Sequence, residues 1–476
     1  MKKRMVSTMQ LVKTDKGYVS GTVIGEPGKE VSIFRGIPFA SPPVGNLRWK
    51  PPHPVEPWEG IRECTRMSDI SPQVEPPGMV SGFTISEDCL YLNVLSPAKQ
   101  PDEKLPVLVW MHGGGYSSGC GNDRIWNNSR LPLNGAVVVT LNHRLGPIGL
   151  FAHPALSKES PEGVSGNYLF LDLIASLKWI RDNIAAFGGD PDNVTIFGES
   201  GGGAKVAMMM LSPLAKGLFH RAICESGTVL AILESKSLTD LETSGVQMFE
   251  KLGIDSSDAP LEQARSLPFS KILEVSQAME GIRTPGAPPS FIWDAAVDGW
   301  LLPDSPKKLF ASGCNNPVPL VVSANLGELK GPGPLVIPIL IPAYMEMLKS
   351  VIKQGCNGYA CIFDQVPAVW RKEGGVSVHS IELPYVFGDW DNSTGWWRSI
   401  SMFVQQAGVK TADPHLSPTD RYVSETMMAL WANFGKDGKP SAQDVPEWPE
   451  YSEDSDQYMN VCDTFEVKTG FSKVAQ

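Results

Sequence analysis

One serine stands among four glycines in TIFGESGGGAKVAM, residues 195–208, directly behind an apolar run. Gly198-Glu199-Ser200-Gly201-Gly202 fits G-x-S-x-G, the pattern that exposes a serine nucleophile on a sharp strand-to-helix turn. The reason is steric. A serine on such a turn takes a strained backbone conformation, and side chains two residues before and after it would collide. A second glycine cluster, WMHGGGYSSG at 110–119, also follows an apolar run. Bare N–H groups from that loop, with the N–H of Gly201, would form an oxyanion hole for acyl transfer. A serine hydroxyl also needs a base, and the base needs an orienting carboxylate. The chain has seven histidines. His112 heads the glycine loop, where propping that loop is the simpler role. If serine, acid and histidine follow one another in that order, only His379 and His415 come late enough.

The elements that must hold these residues are legible from periodicity. LPVLVWMH (105–112) and AVVVTLNHR (136–144) are continuous apolar runs, as expected of strands buried on both faces. The stretch from Leu169 to Asp190 places Leu173, Leu177, Ile180 and Ile184 at helical spacing and stops at Gly188-Gly189. DNVTIFGES is then a strand feeding the helix GGGAKVAMMML, and NPVPLVVSAN and GYACIFDQV read as two more strands. GYVSGTVIG, VSIFRGIPFA and CLYLNVLSP make the first hundred residues β-rich, around a proline-laden connection at 40–58. Alternating strands and helices predict an α/β fold: a large, mostly parallel central sheet flanked by helices. No polar linker divides the chain, so residues 1–476 are expected to form one domain, with 1–20 as an N-terminal extension.

A net charge of −11 argues against a nucleic-acid binder, which needs a basic face. No run of 18 apolar residues occurs, so no membrane span is expected. The basic start MKKR is followed by polar residues where a signal peptide needs an apolar core, which favours a cytoplasmic protein. The eight cysteines include no C-x-x-C pair, and neither a metal nor an organic cofactor is expected.

Taken together, the motifs resemble the type B carboxylesterase family of the α/β-hydrolase superfamily, which includes the cholinesterases and bacterial p-nitrobenzyl esterases. FRGIPFASPPVGNLRWKPP, SEDCLYLNV, HGGGY, LNHRLGPIG, FGESGGG, RAICESG, HSIELPYVFG and LWANFGKDGKP with WPEY follow in the family's order, from about residue 20 to 451. The resemblance implies Ser200 as nucleophile, His379 as base and Glu328, in VVSANLGELKG, as the triad acid. It implies Gly114, Gly115 and Gly201 as oxyanion donors, with Glu199 and Ser226 as supporting groups. The implied reaction is hydrolysis of small carboxylic esters, short-chain or aryl, through an acyl-enzyme. An amidase, carbamate hydrolase or acyltransferase on the same triad is the alternative. The oligomeric state is left open. A basic limb in the pH–rate profile is expected at about pH 6 to 7, from an ordinary histidine.

Two departures from the family pattern stand out. Ser71 occupies a place where the family carries a disulfide cysteine, while Cys89 remains, so that bridge cannot form; Cys64 would substitute only where the geometry allowed it, and reduced thiols are the simpler expectation. Glu328 and His379 are only 51 residues apart, which implies a shortened helical cap at 331–357. Within it a helix is expected over 343–354. The apolar LVIPILIPAYM (335–345) is either a buried connection or a piece of the pocket wall; its place between two triad members favours the pocket, where a shorter cap would leave a wider entrance for bulky or aromatic esters.

Overall fold

Alternation along each apolar run explains how one sheet serves two cores. In the strand Leu105–Met111, Val107, Val109 and Met111 join one hydrophobic cluster and Leu108 and Trp110 the other. The computed structural model describes residues 10–74, 82–231, 235–254, 259–280, 292–313, 315–328 and 337–474. Among these described residues the main sheet has eleven strands. Three antiparallel strands come first in the chain: β1 (Thr22–Glu26), β2 (Lys29–Pro38) and β3 (Tyr91–Ser96). The parallel centre is β4 (Leu105–Met111), β5 (Val137–Leu141), β6 (Gly189–Glu199), β7 (Arg221–Glu225), β8 (Leu320–Asn325), β9 (Gly358–Phe363) and β10 (Gln457–Val461). The antiparallel β11 (Phe465–Thr469) closes the far edge. The spatial order is β11-β10-β9-β8-β7-β6-β4-β5-β3-β2-β1. This is the expected α/β-hydrolase architecture, with a parallel centre and antiparallel edges.

The strand order reverses beside β4: the chain steps outward to β5, then returns to lay β6 on the opposite side. Open α/β sheets bind ligands at such a reversal, beyond the carboxyl ends of the strands. Met111 at the end of β4 is paired with Gly198 near the end of β6, so the two glycine motifs emerge side by side.

Helix α1 (Tyr168–Asn183) leads into β6, and α2 (Gly201–Leu211) leaves it. All eleven residues of α2 are buried, as its apolar sequence requires of every residue but Lys205. Helix α3 (Ile337–Lys353) carries the chain from β8 to β9. It starts earlier than the expected 343 because Pro342 is accommodated inside it rather than ending it. Leu340, Ile341, Tyr344, Met347 and Leu348 lie in the core cluster that also holds β8 residues. The described part of the 335–345 segment is therefore a crossover with one buried face, Leu340, Ile341, Ala343 and Tyr344, while Pro338, Ile339 and Pro342 are exposed, and none of it lines the cavity that holds Ser200; residues 335 and 336 lie outside the described residues. Helices α4 (Trp396–Gln406) and α5 (Pro418–Asp437) supply the opposite core.

Within the expected N-terminal extension, Leu11–Lys13 pairs with Tyr18–Ser20, and Ile61–Glu63 completes a separate small sheet. Cys64 and Cys89 are both free thiols. Among the described residues no helix is long and apolar enough to cross a membrane.

Candidate active site

Ser200 links β6 to α2 with φ 57° and ψ −124°, a conformation strained for any residue with a Cβ. Its N–H donates to the Glu225 carbonyl at 2.8 Å, fixing the turn to β7. The glycines around it answer to a specific crowding. A Cβ on Gly202 would overlap the Met111 carbonyl oxygen, and one on Gly198 would lie 2.5 Å from that same atom. The anticipated collision is thus with the end of the neighbouring strand. The glycine loop crosses in front: Gly114 and Gly115 take φ of 87° and 63°, and Gly201 packs directly on the Gly115 backbone. The three glycines expected as oxyanion donors are therefore brought to one place.

His112 does prop this loop. Its Nδ1 is 2.9 Å from the Gly113 carbonyl, and its ring stacks on His143 with centroids 4.6 Å apart. Lys205, on α2, donates from Nζ to the His112 carbonyl at 2.8 Å. All three are buried, and burial holds both imidazoles well below their usual pKa and brings Lys205 down to about 7.

His379 and Glu328 meet across the ends of β8 and β9. His379 Nδ1 lies 2.6 Å from Glu328 Oε2, while Glu328 Oε1 accepts the backbone N–H of Asn325 at 2.8 Å. Nε2 of the same imidazole lies 3.1 Å from Glu199 Oε1. Burial opposes the charged ring, but Glu199 and then Glu328, together with the Glu328 hydrogen bond, outweigh it and raise its pKa to about 10. An imidazole between two carboxylates is not an ordinary histidine, so the pH 6 to 7 expectation moves upward. His415, the other late histidine, is exposed beside Asp413 and takes no part.

Ser226 donates to Glu382 Oε1 at 3.0 Å and accepts from Asn325 Nδ2 at 3.1 Å; that amide also donates to Glu382 Oε2 at 2.5 Å. Asn325 and Glu382 were not anticipated. Their only sequence signal is position, each three residues from a triad candidate. Burial first, then Glu199 and Glu328, raise the pKa of Glu382 to about 8. Glu225, whose Oε1 accepts the Trp431 indole N–H at 3.1 Å, is pushed well above the carboxylate range by burial and by Glu382. Tyr344 from α3 accepts the Gly227 N–H at 2.8 Å, so the short crossover braces the strand ends from below.

Ser200, His379, Glu199 and Ser380 line one cavity of about 130 Å³, together with Gly113 and Gly114. Trp110, Trp126, Leu383, Trp396 and Phe403 form its apolar wall. Trp126 meets Trp396 edge-to-face at 5.3 Å. The Trp126 loop is tied down by Asn128, which donates to the Phe387 carbonyl at 2.9 Å, and by the Arg130–Asp391 ion pair.

The model of the Carboxylesterase family matches residues 8–334 and 337–475. The chain belongs to that family. It is 33% identical to para-nitrobenzyl esterase of Bacillus subtilis (strain 168), over 94% of each chain. It is 34% identical to fumonisin B1 esterase of Sphingopyxis macrogoltabida, over 91% of this chain and 83% of the relative. Carboxylesterase 1C of Mus musculus is 32% identical, over 93% and 88%. A solved PNB esterase superposes with a TM-score of 0.80 at 29% identity, covering 97% of each chain. The family match breaks only at 335–336, between Glu328 and His379. As a member, this carboxylesterase is a carboxylic ester hydrolase acting on small-molecule esters.

Proposed function

We infer that this carboxylesterase cleaves its ester through an acyl-enzyme on Ser200, with His379 as general base and Glu328 as its orienting acid. The observation that carries the reading is the 2.6 Å Glu328–His379 hydrogen bond, with His379 lining the same cavity as a serine on a strained, glycine-walled turn. Glu328 accepts at Nδ1, so Nε2, which lies 3.1 Å from Glu199 Oε1, is the nitrogen that takes the serine proton as Ser200 attacks the carbonyl carbon. N–H groups of Gly114, Gly115 and Gly201 receive the tetrahedral oxyanion, at the start of a helix whose dipole favours negative charge. His379 then returns the proton to the leaving alcohol and activates water to release the acid. Only neutral His379 can act as base, so kcat/KM rises with pH through its ionisation, above the ordinary histidine range.

The indole and phenyl wall of the cavity supports aryl or bulky apolar esters over the smallest acyl groups. One sheet running from residue 22 to 469 supports a single domain. The free thiols at Cys64 and Cys89 are consistent with a cytoplasmic protein, which cell fractionation would test.

The deciding experiment is hydrolysis of p-nitrophenyl acetate, butyrate and benzoate by wild type and Ser200→Ala. Expected is turnover by the wild type that falls at least ~10⁴-fold in a variant with an unchanged circular dichroism spectrum. Equal turnover by both proteins would remove Ser200 from the mechanism. A strict preference for acetate would remove the aryl-ester reading.

A further inference from the structure

Ser380, directly after His379, holds a backbone conformation that L-residues avoid, with φ 67°. It is buried, lines the cavity, and its Oγ donates to Glu199 Oε1 at 2.7 Å. That oxygen is the same one lying 3.1 Å from His379 Nε2, the nitrogen that must take the proton of Ser200. Glycine would relieve the strain at this position but would leave Glu199 without its hydroxyl donor. The hydroxyl therefore acts on the chemistry through Glu199.

We propose that Ser380 is a positioning residue: its hydroxyl holds Glu199 as a carboxylate against His379 Nε2 and so sets how readily His379 gives up its proton to become the base. This rests on His379 being the base. Two arrangements carry the same single proton, a carboxylate with an imidazolium or a carboxylic acid with a neutral imidazole. A hydrogen bond donated to Glu199 favours the first. Loss of that bond shifts the pair toward the second, so a free base is available at lower pH. The same loss weakens the carboxylate that steadies the imidazolium formed during reaction. Removal of the hydroxyl therefore gives a lower plateau that is reached at a lower pH. Glu328 and Glu225 bear on the same pair from the ends of β8 and β7, and Glu382 from the cap of the short helix Leu383–Val386. From the β4 side the cavity meets the neutral ring of His112, with Lys205 beyond its carbonyl. The ionisation read out therefore belongs to the cluster, and the test follows its displacement.

The experiment is the pH profile of kcat/KM for p-nitrophenyl butyrate in wild type, Ser380→Gly and Ser380→Ala, from about pH 5 to 10.5. Glycine suits φ 67°, so the Gly variant loses the hydroxyl together with the backbone strain, while the Ala variant loses the hydroxyl and keeps the strain. Both should show the basic limb displaced downward by about one unit, with a plateau reduced several-fold. In a Glu199→Gln background the same substitutions should leave the limb where it is. A limb unmoved in both single variants, whatever their plateau, overturns the proposal while His379 stands as the base. A wild-type profile with no basic limb overturns both.

Discussion

Ser200 sits between two buried sets of ionisable groups that reach stability by opposite routes. On the β6–β9 side stand Glu199, Glu225, Glu328 and Glu382; on the β4–β5 side stand His112, His143 and Lys205 from α2. All are nearly out of contact with water. The acidic side is supplied with donors: Ser380 to Glu199, the Asn325 backbone to Glu328, Ser226 and the Asn325 amide to Glu382, and Trp431 to Glu225. It also receives one titratable cation, His379, shared by Glu199 and Glu328. On the basic side His112, His143 and Lys205 turn to the backbone carbonyls of Gly113, Arg144 and His112. Burial there favours the neutral forms. Proton traffic therefore belongs to the acidic side, and the basic side braces the oxyanion loop. The folded state keeps extra protons on one side and sheds them on the other.

The largest expected effect breaks the acidic side at Glu328. Both of its oxygens accept, one from His379 Nδ1 and one from the Asn325 N–H. In Glu328→Gln only one oxygen remains. If it stays with the fixed backbone N–H, the new amide faces His379 and forces the tautomer whose Nε2 carries hydrogen. That tautomer cannot take a proton from Ser200. We expect kcat to fall about 10³- to 10⁴-fold with little change in KM, by steady-state kinetics. A loss below tenfold would mean that Glu328 does not set the tautomer.

The two sides also differ in how far they could be read beforehand. Ser200 and the glycines of both loops were legible because a strained turn and a bare-backbone loop are local demands, written in adjacent residues. His379 needed chain order, and Glu328 needed the family resemblance, since a carboxylate after a strand is common. Asn325, Glu382 and Tyr344 escaped because they converge only through the parallel register of β7, β8 and β9 and the crossover α3. Lys205 was hidden by its type: within an apolar helix it passes for a solvated residue, yet it is fully buried. The strands of the parallel centre before residue 200 were plain from their apolar runs. The edge strands β10 and β11 were not, because Gln457 and Asn460 in one and Glu466 and Lys468 in the other break the continuous apolar run that marks the central strands. Prolines misled the reading of α3, which absorbs Pro342 within a helix already begun at Ile337.

A smaller effect would sharpen the contrast through Lys205, whose pKa falls from an ordinary 10.5 to about 7. Between those values the unfolded chain holds a proton that the folded one has lost, so stability rises with pH. The slope is at most about 1.4 kcal/mol per pH unit. His379 has the opposite sign: raised from 6.5 to about 10, its contribution is fully present below 6.5 and is lost as pH rises through about 10. From about pH 7 to 10 the two slopes oppose each other. Lys205→Met removes the rising one, so urea midpoints should decline from pH 7 to 9 more steeply than in wild type. Parallel pH trends in the two proteins would show that Lys205 keeps its charge when folded.

The smallest effect concerns Glu382, which touches the triad only through charge and shared donors. Glutamine at this position puts an amide toward Ser226, whose hydroxyl can turn and accept, so Glu382→Gln is expected to fold. Glu382 titrates near 8 when folded, against an ordinary 4.5, so its contribution is complete below 4.5 and disappears as pH rises through about 8. Urea midpoints of Glu382→Gln should therefore decline less than those of wild type between about pH 5 and 8. Removing its charge also takes the weakest of the raising influences off His379. The basic limb should move down by less than half a unit, less than after Ser380→Gly. A shift as large as that of Ser380→Gly would mean that the whole acidic side sets the proton affinity of His379 equally, and that Glu199 has no privileged place at Nε2.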